Sequence, residues 1–204
     1  MYQVSFRRLL AYSSLTHVGY MVLGISLNTI EGFVSAFFYL FIYIVLLIFT
    51  FIFLFCFVEK HSTKEIFYID DISAFGIIAK KHYSVAFLFS TILLSMGGVP
   101  FFAGFYSKFY IFMALYSSFN FNLLFALLFV SVVSSIYYIR IIRFLLFTDD
   151  FNCNSNLNFL NLNFYNLMFI ILIVFFIFNC VIFFFHDVLY LYIQHVILVS
   201  FLNA

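Results

Sequence analysis

Apolar residues in this chain come in long runs, each closed by a few charged or amide side chains. A bilayer core of about 30 Å takes about 20 apolar residues as a helix. On that measure the pattern predicts six transmembrane helices, at residues 9–27, 33–58, 83–98, 104–118, 121–147 and 163–186. Arg7 and Arg8 precede the first run, Asn28 and Glu31 follow it, and Glu59, Lys60 and His61 close the second. Residues 188–202 are also apolar but carry Gln194 and His195. They read either as a helix lying in the membrane interface or as a disordered tail. The expected fold class is all-α: a polytopic transmembrane helix bundle of about six helices, in one domain over residues 1–204.

Polar connections separate the runs. Residues 59–82 hold Glu59, Lys60, Lys64, Glu65, Asp70, Asp71, Lys80 and Lys81, and their middle, 71–80, predicts a short surface helix capped by Asp71 or Ser73. Residues 148–163 are rich in Asn and read as a solvated loop, and 117–122 as a tight turn. If all the runs cross, Arg7, Arg8, Lys60, Lys64, Lys80 and Lys81 fall on one side of the membrane.

The third and fourth runs are short for a full crossing, and Gly97, Gly98, Val99, Pro100, Phe101, Phe102, Ala103 and Gly104 join them. Pro100 is the chain's one proline; it lacks an N–H and turns Val99 away from helical geometry. Gly97, Gly98 and Gly104 let the backbone leave the helix. The segment is either a tight loop at the membrane surface or a helix broken at membrane depth. The second persists only where protein or a water-filled cavity satisfies the freed peptide groups.

Composition sharpens the picture: 67% of the residues are hydrophobic and 8% charged. Charge this sparse cannot coat a surface facing water, where about a quarter of residues are normally charged. The net charge of +1 gives no basic face for nucleic acid. Phe, at 36 residues, leads a bias toward Phe, Ile, Leu, Tyr and Asn, the bias of an AT-rich genome such as many organelles carry. Cys56, Cys153 and Cys180 are scattered without metal-ligand spacing and read as small hydrophobes. No glycine-rich nucleotide loop, nucleophile–base pair, or haem or iron–sulfur ligand set is present, so no cofactor is expected on this chain.

Lys108 is the most informative residue. No acidic residue occurs between His82 and Thr148. An ammonium ion at bilayer depth costs at least about 2.5 kcal/mol, so Lys108 is expected to face a hydrated interior or a partner. One reading is a proton-relay lysine, whose proton is exchanged as nearby charges change; the other is a lysine that snorkels to an interface. The neighbouring Gly/Pro break favours the relay. His17 lies among Ser13, Ser14 and Thr16, polar residues dense enough to bond neighbouring helices, and is the second relay candidate. Arg140 and Arg143, at i and i+3, read as a headgroup anchor at a helix C-terminus, and Glu31 as a dipole-stabilised start of the second helix.

Three segments carry a resemblance. Arg7-Arg8-Leu9-Leu10-Ala11-Tyr12-Ser13-Ser14-Leu15-Thr16-His17-Val18-Gly19-Tyr20-Met21 closely resembles a motif of the subunit 2 family of NADH dehydrogenase, the antiporter-like membrane subunits of respiratory complex I. Leu93-Leu94-Ser95-Met96-Gly97-Gly98-Val99-Pro100-Phe101-Phe102-Ala103-Gly104-Phe105-Tyr106-Ser107-Lys108-Phe109-Tyr110 and Ser134-Ser135-Ile136-Tyr137-Tyr138-Ile139-Arg140 resemble two more, in the family's order. The Lys108-Phe109 pair is similar to subunit 2 rather than to subunits 4 and 5. Arg7 replaces the family's lysine and keeps its charge, and Phe101 replaces the second proline of a Pro-Pro pair.

The resemblance implies the second five-helix repeat of an antiporter-like fold, broken at Gly97, Gly98, Pro100 and Gly104. It implies half of a proton channel running past Lys108, in a proton-pumping NADH:ubiquinone oxidoreductase of the mitochondrial inner membrane. Implied partners are the other complex I membrane subunits, lipids, and a separate chain with the N-terminal half; Met1, just ahead of the first motif, favours a split gene. A multisubunit cation/proton antiporter subunit and a purely structural membrane subunit are the alternatives.

Overall fold

The computed structural model describes residues 6–60, 66–68, 83–147, 157–159 and 162–202. Among them the six helices are α1 (Phe6–Ser26), α2 (Ile30–Cys56), α3 (Tyr83–Gly97), α4 (Ala103–Ser117), α5 (Phe121–Phe147) and α6 (Leu162–Leu202). Three short strands, β1 (Phe57–Lys60), β2 (Ile66–Tyr68) and β3 (Leu157–Phe159), form an antiparallel sheet in the order β2-β1-β3. The sheet begins inside the end of the second apolar run, at Phe57 and Val58, and joins the two long connections; the polarity pattern gave no sign of it. The surface helix expected over 71–80 lies outside the described residues.

α1, α2, α5 and α6 are long and apolar enough to cross a membrane. α3 and α4 have 15 residues each, about 22 Å of helix, too short to cross alone. Their neighbours show how they combine. Phe89 of α3 packs on Phe6, at the start of α1, and stacks at 3.5 Å on Phe53, near the end of α2. Ser117, at the end of α4, bonds Glu31 at the start of α2. α3 therefore runs inward from one membrane face and α4 continues to the other, so the pair makes one crossing. It follows that α5 ends on the face where α1 begins, and Arg8, Arg140 and Arg143 share that face.

Local chemistry sets the turns. Thr29 caps α2, its hydroxyl accepting from Gly32 N–H at 3.1 Å. Gly24 and Gly32 bring α1 and α2 into backbone contact: a Cβ on Gly32 would sit 2.5 Å from the Gly24 carbonyl oxygen. Small residues replace the hydrophobic drive that lipid removes. The core runs between the helices through Phe38, Ile42, Phe89, Ile92, Leu93, Ile141 and Phe175, all fully or almost fully buried.

Residues 188–202 are helical, not a disordered tail. They continue α6, which bends at Phe185 (φ −120°, ψ 20°) and runs on along α2, with Phe201 packed against Phe33. Contact with α2 supplies the order that Gln194 and His195 alone do not.

Phe101, in the α3–α4 link, has φ +79°. A proline ring fixes φ near −65° and cannot reach that region. Phe101→Pro, which would restore the residue of the family motif, is expected to destabilise the protein by about 1–3 kcal/mol, read as a lower thermal midpoint in detergent.

Candidate functional site

The α3–α4 break is built from its own sequence. Gly98, at φ +79°, ends α3: its N–H bonds the carbonyls of Leu94 and Ser95, and Val99 N–H reaches Leu94 at 3.2 Å. This is a glycine C-cap with the Schellman bonding pattern. Phe102, extended at φ −111° and ψ 154°, precedes α4 and offers no side-chain cap. The opening N–H groups of α4 find partners elsewhere. Ala103 N–H donates to Asn179 Oδ1 of α6 at 3.2 Å, and Gly104 N–H to Ser95 Oγ of α3 at 3.1 Å. Ser95 Oγ in turn donates to Asn179 Oδ1 at 3.2 Å, and Asn179 Nδ2 donates to the Phe175 carbonyl. The broken backbone is thus satisfied by protein at a depth where no lipid group could do so.

Lys108 stands on α4 one turn past this cap, 4% exposed. Its Nζ donates to the Gly97 carbonyl at 2.8 Å and to Ser134 Oγ of α5 at 3.4 Å, and lies 5.8 Å from the Tyr20 ring centre. Among the described residues no carboxylate is within ion-pair reach of it. The Gly97 carbonyl is one of the unpaired carbonyls closing α3, where the helix dipole is negative. Helix end, hydroxyl and aromatic face together support the ammonium without neutralising it.

His17 is equally buried. Nδ1 lies 2.7 Å from the Tyr39 hydroxyl and Nε2 3.1 Å from the Tyr138 hydroxyl, and the ring stacks on Tyr43 at 4.6 Å. A neutral imidazole donates from one nitrogen and accepts at the other, so one tyrosine accepts from His17 and the other donates to it. His17, Tyr39, Tyr43, Ser95, Ser107 and Lys108 share the wall of one small cavity of about 10 Å³. That is the size of one water molecule, with polar groups around it to hold one.

The three sequence motifs meet here: His17 and Tyr20 from the first, Gly97, Gly104 and Lys108 from the second, Ser134 and Tyr138 from the third. Gly98 and Pro100 shape the link beside Lys108. Arg140 and Arg143 stay apart, in the last turns of α5, and Glu31 accepts from Ser117 at the opposite face. Sequence reasoning missed Asn179, Tyr39 and Tyr43. A lone amide within an apolar run was the available signal for Asn179; the tyrosines are two of 15 and gave none.

Asn179→Leu leaves the Ala103 N–H and the Ser95 hydroxyl short of an acceptor at membrane depth. A loss of about 1–3 kcal/mol is expected, read as a lower thermal midpoint in detergent.

Comparison with known proteins extends this geometry. The family model for "NADH:quinone oxidoreductase/Mrp antiporter, TM" matches residues 1–137. The NADH-quinone oxidoreductase subunit N of Rhodospirillum rubrum is 37% identical over 147 residues, which is 72% of this chain and 29% of that protein. The NAD(P)H-quinone oxidoreductase subunit 2 of Gloeobacter violaceus is 33% identical over 144 residues, 71% of this chain and 27% of the relative. The chain thus spans less than a third of these relatives' length. A subunit in the structure of respiratory complex I from Thermus thermophilus with bound aureothin shares the fold, with a TM-score of 0.71 and 21% identity over 93% of this chain and 40% of that one. The family match covers α1 to the Lys108 and Ser134 contacts and well over half of the sequence, and this chain belongs to the NADH:quinone oxidoreductase/Mrp antiporter family of membrane proteins.

Proposed function

We propose that this chain is a membrane subunit of a proton-pumping NADH:quinone oxidoreductase, where it forms half of a proton channel with Lys108 and His17 as relay groups. The observation that carries the reading is the shared cavity. A buried lysine with no carboxylate partner among the described residues and a buried histidine between two hydroxyls open onto a space the size of one water molecule. The names of the relatives point to the same enzyme.

In this reading Lys108 Nζ holds a proton against the Gly97 carbonyl and Ser134 Oγ and releases it toward His17 when charge in a neighbouring subunit changes. The imidazole takes a proton at one nitrogen and gives one up from the other, so Tyr39 and Tyr138 mark the two sides of the step. Redox chemistry and its cofactors reside on other chains. The setting is the mitochondrial inner membrane, in keeping with the composition. The partners are other membrane subunits, lipids, and a separate chain that carries the part of the relatives' length this one does not span.

The test is the protein partner list of the complex extracted in mild detergent. The expected list holds a flavoprotein that oxidises NADH, iron–sulfur subunits and the companion membrane chains. The family also includes Mrp antiporters. A list of antiporter subunits with no flavin or iron–sulfur protein would assign the chain to a cation/proton antiporter instead.

A further inference from the structure

Asp187 has no place in the relay, yet it stands in the apolar helix α6 with 77% of its side chain exposed. Its depth follows from its neighbours. The Tyr110 hydroxyl donates to Asp187 Oδ1 at 2.7 Å; the Tyr110 ring stacks on Tyr190 at 4.0 Å; Phe38 of α2 packs edge-on to both rings. Tyr110 is mid-way along α4 and Phe38 eight residues into α2. With α2 centred on the bilayer, that level is roughly 7 Å inside the hydrocarbon. A carboxylate there is costly against lipid, and the short Asp side chain cannot snorkel out as lysine does.

Among the described residues, few donors reach Asp187. An ionised carboxylate accepts at about four lone-pair positions, and Tyr110 fills one. His186 Nε2 lies 3.4 Å away, but His186 Nδ1 sits 3.1 Å from the Phe183 carbonyl, which can only accept. A neutral His186 that donates from Nδ1 to that carbonyl has no proton on Nε2 to offer Asp187. The surroundings are apolar and open: Phe184, Val188 and Leu191 are 74%, 63% and 61% exposed. At a spacing of four residues Leu191 shares the face of Asp187. α6 meets α2 through Tyr190, which packs on Phe38, and through Phe201, which packs on Phe33. An exposed carboxylate on an apolar face of a membrane helix suits a neighbouring helix rather than lipid.

We propose that the Asp187–Leu191 face of α6 docks a transmembrane helix of another subunit, one that brings a lysine or arginine to the depth of Asp187. The cation satisfies the lone pairs that Tyr110 leaves open.

The test uses the assembled complex in its native membrane and dicyclohexylcarbodiimide, a lipid-soluble reagent that adds to protonated carboxyl groups. At a dose that modifies Asp187 almost completely after dissociation in dodecyl sulfate, the intact complex is expected to show it unmodified by peptide mass spectrometry. Tyr110→Phe, which removes the chain's own donor, leaves that protection in place. Asp187→Lys sets like charges together and lowers the yield of assembled complex by about tenfold or more on native gels. Modification of Asp187 in the intact membrane to the extent seen after dissociation would show it facing lipid and overturn the proposal. So would loss of protection in Tyr110→Phe, or wild-type assembly of Asp187→Lys.

Discussion

Lys108→Met is expected to cut proton translocation by the reconstituted complex at least tenfold while the complex still assembles. A relay needs a group that gains and loses a proton as its neighbours change charge. Met has similar length, is at home among apolar side chains, and cannot be protonated. Its cost to the fold is small, because the ammonium it removes itself costs at least about 2.5 kcal/mol at membrane depth. The Gly97 carbonyl and Ser134 hydroxyl lose a donor, but Ser134 keeps its bond to the Ser131 carbonyl at 2.7 Å. Lys108→Arg is the sharper control. Arginine keeps the positive charge opposite the C-terminal end of α3 and stays protonated at every accessible pH. If the charge only braces the break, Arg works and Met fails; if the proton moves, both fail. The measurement is protons translocated per NADH oxidised in sealed vesicles, with assembly followed on native gels. Wild-type stoichiometry in the Met or Arg variant would end the relay assignment and leave a structural role.

Gly104→Ala should be the most damaging single methyl group in the chain. A Cβ at position 104 would overlap the Ser95 backbone carbonyl of α3. Backbone cannot swing aside as a side-chain tip does, so α4 must move away from α3. That movement stretches the Gly104–Ser95 and Ala103–Asn179 bonds that cap α4, and it carries Lys108 away from Gly97. Overpacking alone costs about 1–3 kcal/mol; with the caps lost, the upper end or beyond is expected. Gly97→Ala is the internal control, since a Cβ there makes ordinary contact, 3.7 Å from Tyr138 and 3.8 Å from Ser135. Thermal midpoints of the extracted complex should therefore fall steeply for Gly104→Ala and little for Gly97→Ala. Equal midpoints would mean that the two half-helices are not held at this separation.

The apolar runs, the break and the relay candidates were legible in the sequence because each follows from a local rule. Hydrocarbon demands an apolar run about as long as the bilayer is thick. Proline removes an N–H, and glycine permits φ +79° at position 98. A lone lysine in such a run must be stabilised by something. The helix ends were less legible: α2 stops at Cys56, short of residue 58, where the chain enters β1. Strand pairing between residues about a hundred positions apart, such as Phe57 with Phe159, leaves no periodic trace in either segment.

What the sequence by itself determined is a membrane-embedded helical protein, broken once, with Lys108 beside the break and three motifs in a family's order. Only the tertiary structure decided that α3 and α4 share one crossing and that the chain beyond the kink at Phe185 is helical to Leu202. It alone brought Asn179 of α6 to the cap of α4, and His17 of α1 to a cavity shared with Lys108 of α4. The reason is physical. Burial and backbone conformation are set residue by residue, whereas a hydrogen-bond partner at membrane depth is whichever polar group packing brings within 3 Å or so. Lys108 announces its need for partners in the sequence, and the fold chooses a carbonyl eleven residues away and a serine twenty-six residues away to meet it.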